Sequence, residues 1–265
     1  TDKRRARPSV AHDGRAGQRR GLRAHRAREL RRKKPGDRGR LLDVGCGEGF
    51  VLAAFAADGW EVSGIDHSLA GVQRMNPQVT EYVEQANVFA ALDRRIEGGG
   101  RYDLVWLGNV LEHLLDPVAL LRSLPELLTP GGLAVIVVPN DGTEFHEELF
   151  SAGMISERFW IAIPDHISYF TADSLRRTAI ATGWAVRDLQ GDFPVDFFLA
   201  HEDSNYVAYC EKGTAAHAAR LRLERLIGAR GLKAANCFYT ALADVGFGRN
   251  IVAYLKPERE GGNDE

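Results

Sequence analysis

The stretch "LLDVGCGEGF", residues 41–50, constrains the fold more than any other part of the chain. An aliphatic run ends in Gly45, Gly47 and Gly49, and a second apolar run, "FVLAAFAADG", follows. Glycines placed between two buried segments mean a sharp backbone bend and a close approach to that backbone. Strand, loop and helix in that order form the unit of a parallel sheet. The alternation then recurs. "EVSGID", "TEYVEQA", "YDLVWLGN", "LAVIVVPN", "WAVRDLQGDF" and "RNIVAYLKP" read as further strands. "SLAGVQRMN", "TADSLRRTAIATG" and "AAHAARLRLERLIGA" read as helices, and "VLEHLLDPVALLRSLPELLTPGG" as a helix interrupted at Pro117 with a turn at Pro130-Gly131-Gly132. "LAVIVVPN" is almost wholly apolar, as suits a strand covered on both faces. The expectation is an α/β fold: a seven-stranded, mostly parallel sheet with helices on both faces. Ligands then bind beyond the carboxyl ends of the strands, where strand order reverses.

Asp66 ends the second strand, 21 residues after Gly45. A carboxylate at that place accepts hydrogen bonds from the cis hydroxyls of a ribose. A dinucleotide fingerprint needs G-x-G-x-x-G, so that a pyrophosphate can sit at the helix start. Here Phe50 stands where the third glycine belongs. The spacing Gly45-x-Gly47-x-Gly49, with Asp43 before it, suits a nucleoside without phosphates.

"LLDVGCGEGF", "VSGIDHS", "YDLVWLGNVLEHLLDP" and "LLTPGGLAVIVVP" together resemble the successive motifs of class I S-adenosylmethionine-dependent methyltransferases. The subgroup most resembled contains the ubiquinone-biosynthesis O-methyltransferases. The resemblance covers about residues 40–190 and implies a Rossmann-like fold with S-adenosyl-L-methionine as cofactor and S-adenosyl-L-homocysteine as product. It implies that Asp43 orients the glycine loop and that Gly45, Cys46 and Gly47 line the methionine part of the cofactor. Asp66 would hold the ribose, with His67 beside the adenine. Asn87 and Val88 would face the adenine, Asn87 standing where the family usually has an aspartate. Leu107, Gly108 and Asn109 would end the fourth strand near the methionine amino group.

Methyl transfer from a sulfonium is an in-line displacement, so the protein mainly positions the acceptor. A hydroxyl acceptor needs a base, an amine needs a neutral lone pair, and histidine serves either near neutral pH. His113 in "VLEHLL" and His166 in "PDHISYF" are the candidate catalytic residues. Glu112 reads as a helix-start acid, and Asp165 or a backbone carbonyl as the group that fixes the His166 tautomer. His146 and His201 receive no role. Leu107 and Gly108 offer no carboxylate at the end of the fourth strand, so no catalytic metal is expected.

Residues 1–40 hold 16 Lys and Arg against 4 Asp and Glu, whereas the whole chain holds 34 against 36. Residues 1–36 read as a basic, flexible tail, and residues 37–265 as the methyltransferase domain, with aromatic-rich insertions at about 141–170 and 191–248 forming a lid over the acceptor. The helix expected over 214–229 offers a lid contact or a homodimer face. The acidic folded part argues for a small-molecule acceptor, a sugar or natural-product intermediate among them, and against nucleic acid. The alternatives are an RNA or protein methyltransferase that recruits its substrate through the tail, and a non-catalytic nucleotide-binding protein. Three scattered cysteines point to a reducing, cytoplasmic setting, and no apolar run is long enough for a membrane span.

Overall fold

The computed structural model describes residues 38–258 together with Arg23, Arg26 and Ala27. The basic tail expected over residues 1–36 lies outside the described residues apart from those three, which are helical.

Seven strands lie among the described residues: β1 (Arg40–Val44), β2 (Glu61–Asp66), β3 (Val83–Gln85), β4 (Tyr102–Gly108), β5 (Leu128–Pro139), β6 (Trp184–Gly191) and β7 (Asn250–Pro257). They form one sheet in the order β3-β2-β1-β4-β5-β7-β6. All neighbours are parallel except that β7 runs antiparallel to both β5 and β6. Strand order reverses between β1 and β4, and the glycine loop leaves β1 at that point.

Eight α-helices lie among the described residues: α1 (Phe50–Ala57), α2 (Ala70–Met75), α3 (Val88–Glu97), α4 (Pro117–Ser123), α5 (Glu144–Ser151), α6 (Ala172–Ala181), α7 (Gly213–Gly228) and α8 (Leu232–Asp244). Their starts follow from local chemistry. Thr171 and Ser174 form a reciprocal capping box at the head of α6, which satisfies two donors the helix cannot. Asp116 accepts from Ala119 N at 2.8 Å just before Pro117, which tolerates the first helical position.

One face of the sheet packs Leu42, Ile65, Val105 and Ile136 against α3, α4 and α6. The other packs Leu41, Leu104 and Val135 against Leu52 and Phe55 of α1 and Val72 of α2, with Ala27 in the same cluster. Alternate residues of each strand therefore serve opposite layers. Separate apolar clusters gather Leu149, Ile155, Trp160 and Leu199 from the two insertions, and Ala235, Tyr239 and Leu242 of α8.

Three expectations need correction. The third strand is only Val83–Gln85, because Pro77 starts a 3-10 turn over Pro77–Tyr82. The long helix after β4 divides into a 3-10 turn at Leu111–His113, α4, and a second 3-10 turn at Leu124–Leu127. The turn at Pro130-Gly131-Gly132 is a bulge inside β5: Tyr102 pairs with Leu128 and Leu104 with Leu133, and Gly131 takes a positive φ of 82°. A bulge lets surplus residues leave the ladder without ending the strand.

Candidate active site

β1 delivers the chain into a loop in which Gly45, Gly47 and Gly49 have φ of 68°, 54° and 73°. Gly45 N and Cys46 N both donate to Ile65 O, at 2.7 and 3.1 Å, and tie the loop to β2. A Cβ on Gly45 would fall 2.5 Å from Val110 Cγ2, whereas one on Gly47 would meet nothing within 4 Å. Open space therefore lies over the backbone of Gly47. Gly47 N donates to Asp66 Oδ2 at 2.8 Å and Ser68 N to Asp66 Oδ1 at 3.0 Å. Each oxygen of an ionised carboxylate keeps a further lone pair, so Asp66 remains able to accept from a ligand. His67 lies beside it, with Nδ1 3.2 Å from Asp66 Oδ1, and is almost wholly exposed.

A cavity of about 250 Å³ is lined by Asp43, Gly45, Cys46, Gly47, Gly108 and Asn109, which were expected to hold the cofactor. Asn109 takes a left-handed φ of 60° there. Burial, with Asp43 and Asp66 nearby, pushes the Cys46 thiol far up, which leaves it a packing residue. Leu107 is fully buried in the core and does not line the cavity; nor do Asp66, His67, Asn87 and Val88. Asn87 caps α3, its side-chain oxygen accepting from Ala90 N at 3.3 Å. The glycine cradle and the two-sided Asp66 fit a phosphate-free adenosine bearing an amino-acid chain.

Arg23 also lines this cavity, a residue the sequence reading left in the tail. Its Nη2 donates to Asp192 Oδ2 at 3.0 Å, and Arg26 Nε to Asp188 Oδ2 at 2.6 Å.

Beyond β4 and β5 the two expected histidines come together. Ile167 N and Ser168 N donate to Glu112 O at 2.9 and 3.1 Å, which lashes the segment after β5 to the turn after β4. The rings of His113 and His166 are 5.0 Å apart. His113 Nδ1 contacts Asp165 O at 2.6 Å, so the Asp165 carbonyl serves His113 rather than His166. His166 Nδ1 instead faces Asp141 Oδ2 at 3.7 Å. Glu112 is buried, accepts from Asn109 Nδ2 at 3.0 Å through Oε1, and has no partner for Oε2 among the described residues. Burial pushes the Glu112 carboxyl up, against the opposing pull of the Asn109 hydrogen bond and the two histidines. Single atoms of Glu112, His113 and His166 lie within 4.8 Å of one another, a grouping that the absence of carboxylates at Leu107 and Gly108 did not foreshadow.

His146, given no role from sequence, is buried in α5. Its Nε2 lies 3.1 Å from Asp196 Oδ2, and its ring stacks on Trp160 at 4.9 Å. Tyr206 donates to Asp196 Oδ1 at 2.7 Å. The pairing spans 50 residues, and nothing local signals it.

A family profile described as a methyltransferase domain matches residues 15–189. The chain belongs to that methyltransferase-domain family. Its fold is that of an S-adenosylmethionine-dependent methyltransferase from Archaeoglobus fulgidus, with a TM-score of 0.54 at 20% identity over 89% of this chain and 94% of that one. A second such enzyme, from Mesorhizobium loti, superposes with a TM-score of 0.50 at 17% identity over 90% and 97%. The chain is 30% identical over 155 residues to a ubiquinone biosynthesis O-methyltransferase of Aeromonas salmonicida, covering 57% of this chain and 65% of that protein. It is 27% identical to the protein of the same name from Psychrobacter arcticus, covering 65% and 71%. The match thus spans about two thirds of these relatives. S-adenosylmethionine is the cofactor of this methyltransferase family. No helix among the described residues is long and apolar enough to cross a membrane.

Proposed function

We propose that this methyltransferase acts on a hydroxyl of a small aromatic molecule, with His166 as base and His113 beside it. The observation that carries the reading is the pair of histidine rings 5.0 Å apart over the buried Glu112, at the same strand ends as the glycine cradle. When bound, S-adenosylmethionine supplies a methyl group already activated by a positive sulfur. Gly45, Gly47 and Gly108 would face its methionine part, Asp66 its ribose, and Arg23 offers a cation for its carboxylate. The chain's own work is then to align the acceptor and take its proton.

Proton affinity favours a phenol over an alcohol. The gap between an imidazole and a phenolic hydroxyl, whose pKa is about 10, is small beside the gap between an imidazole and an aliphatic alcohol. A neutral imidazole handles the first gap during transfer and handles the second poorly. The relatives' name supports oxygen as the acceptor atom, and the two insertions carry aromatic residues such as Phe159, Trp160 and Tyr206.

Labelled S-adenosylmethionine with catechol, a simple amine and a nucleotide-linked sugar as probes tests this reading. Label is expected on the catechol oxygen. His166→Gln should lower turnover about 100-fold or more, the range for loss of a general base, while calorimetric affinity for S-adenosylhomocysteine stays within about twofold. Transfer to the amine alone, or full activity of the variant, would overturn it.

A further inference from the structure

We propose that Asp141 is a positioning residue for His166, itself held by Arg249 from the loop before β7. The proposal rests on the reading of His166 as base.

Asp141 follows β5 and is buried, and its backbone N donates to Phe170 O at 2.9 Å. Its Oδ1 accepts from Arg249 Nη1 at 3.0 Å, and its Oδ2 faces His166 Nδ1 at 3.7 Å. That Nδ1 is buried and has no hydrogen-bond partner among the described residues. The 16% of the His166 side chain that remains exposed therefore lies elsewhere on the ring. A separation of 3.7 Å is longer than a hydrogen bond, and such contacts commonly tighten when substrate arrives. A carboxylate only accepts. Closing this contact puts the proton on Nδ1 and leaves the lone pair on Nε2, away from the buried side.

Other charged and titratable groups do not supply this function. Glu112 and His113 face His166 from the turn after β4, and Tyr169 from its own segment. Glu112 already engages Asn109 through Oε1. Arg249 holds the buried Asp141 by its Oδ1 and leaves Oδ2 turned to His166, since a buried carboxylate needs a paired cation. Arg249 also feels Asp196 and Tyr206, and its guanidinium stands 5.8 Å over the Phe159 ring. Asn140 braces the loop that delivers it, with Nδ2 donating to Gly246 O at 3.0 Å and Gly248 O at 2.9 Å.

The test needs no acceptor. Histidine is labelled with ¹⁵N, the full chain is saturated with S-adenosylhomocysteine, and imidazole nitrogen shifts are read at a pH where the rings are neutral. His166→Gln assigns the signal. Wild type is expected to show His166 protonated on Nδ1. Asp141→Asn should move a large share to the Nε2-protonated form, and Arg249→Lys should keep the wild-type pattern. Transfer to catechol should fall about 10- to 100-fold in Asp141→Asn, less than loss of the base itself. Should Arg249→Lys fail to fold, Asp141→Asn, which keeps the side-chain shape, decides alone. An Nε2-protonated His166 in wild type, or an unchanged pattern in Asp141→Asn, overturns the proposal. Full transfer activity in His166→Gln, with wild type showing the Nδ1 pattern and Asp141→Asn losing it, would instead sink the base assignment and leave Asp141's placement of the ring standing.

Discussion

At Gly45 two constraints meet: a left-handed φ of 68°, and 2.5 Å between an added Cβ and Val110 Cγ2. Gly45→Ala is expected to cost about 1–3 kcal/mol in strain, seen as a lower denaturant midpoint, and to weaken S-adenosylhomocysteine binding in calorimetry. A variant that binds as wild type would show the cradle to be pliable. This glycine was legible from sequence because a single short motif fixes both its neighbours and its conformation. Asn87 was less so: the family resemblance implied an adenine contact at that position, but the same oxygen also caps α3, and a sequence does not say which partner wins. Arg23 was missed because one arginine among many in a basic stretch carries no pattern; what marks it is position over the cavity. Arg23→Ala should weaken S-adenosylhomocysteine binding about tenfold, the order of one charge-assisted hydrogen bond, whereas Arg26→Ala, whose partner Asp188 lies on β6, should not. Equal effects would mean that the two residues merely dock the segment.

Elements with strong periodicity or apolar runs were readable: β1, β4, β5, α1, α6 and α7 stand close to where the sequence put them. Thr171 shows why α6 was clear, since its hydroxyl accepts from Ser174 N and the Ser174 hydroxyl answers Thr171 N. Thr171→Ala should lower stability by about 1 kcal/mol, measured by urea unfolding. α5 and α8 escaped notice because much of what stabilises them comes from distant chain. For α5 it is Asp196, which meets buried His146. Burial alone would raise the Asp196 carboxyl, but the His146 hydrogen bond, the Arg249 charge and the Tyr206 hydroxyl outweigh it and hold it below the ordinary value. A depressed folded-state value adds stability above the unfolded value of about 3.9 and surrenders it as pH falls through the folded one. Asp196→Asn should therefore lower stability at pH 7 by about 3 kcal/mol, as for a broken buried pair, with the gap to wild type closing below about pH 4. A gap independent of pH would refute this sign.

At the scale of the whole molecule, the seven-stranded, mostly parallel sheet followed from alternation, and the glycine loop pointed to the end of β1 as the ligand site. The acceptor side did not. It is assembled from the turn after β4, the segment after β5 and Arg249 before β7, and no local pattern links Glu112 O to Ile167 N or Asp141 to Arg249. The two histidines were named from their neighbourhoods, while the carboxylate facing one of them belongs to a pairing across 108 residues.

β7 lies between β5 and β6, although it follows both in the chain. A nascent chain halted before Asn250 would hold β6 with nothing to pair against and leave one long apolar edge of β5 bare, an invitation to aggregate. It would also lack the cation beside Asp141. Synthesis of β7 thus joins β5 to β6 and delivers Arg249 together, and a product truncated before it should fall out of solution rather than persist as a half-active enzyme.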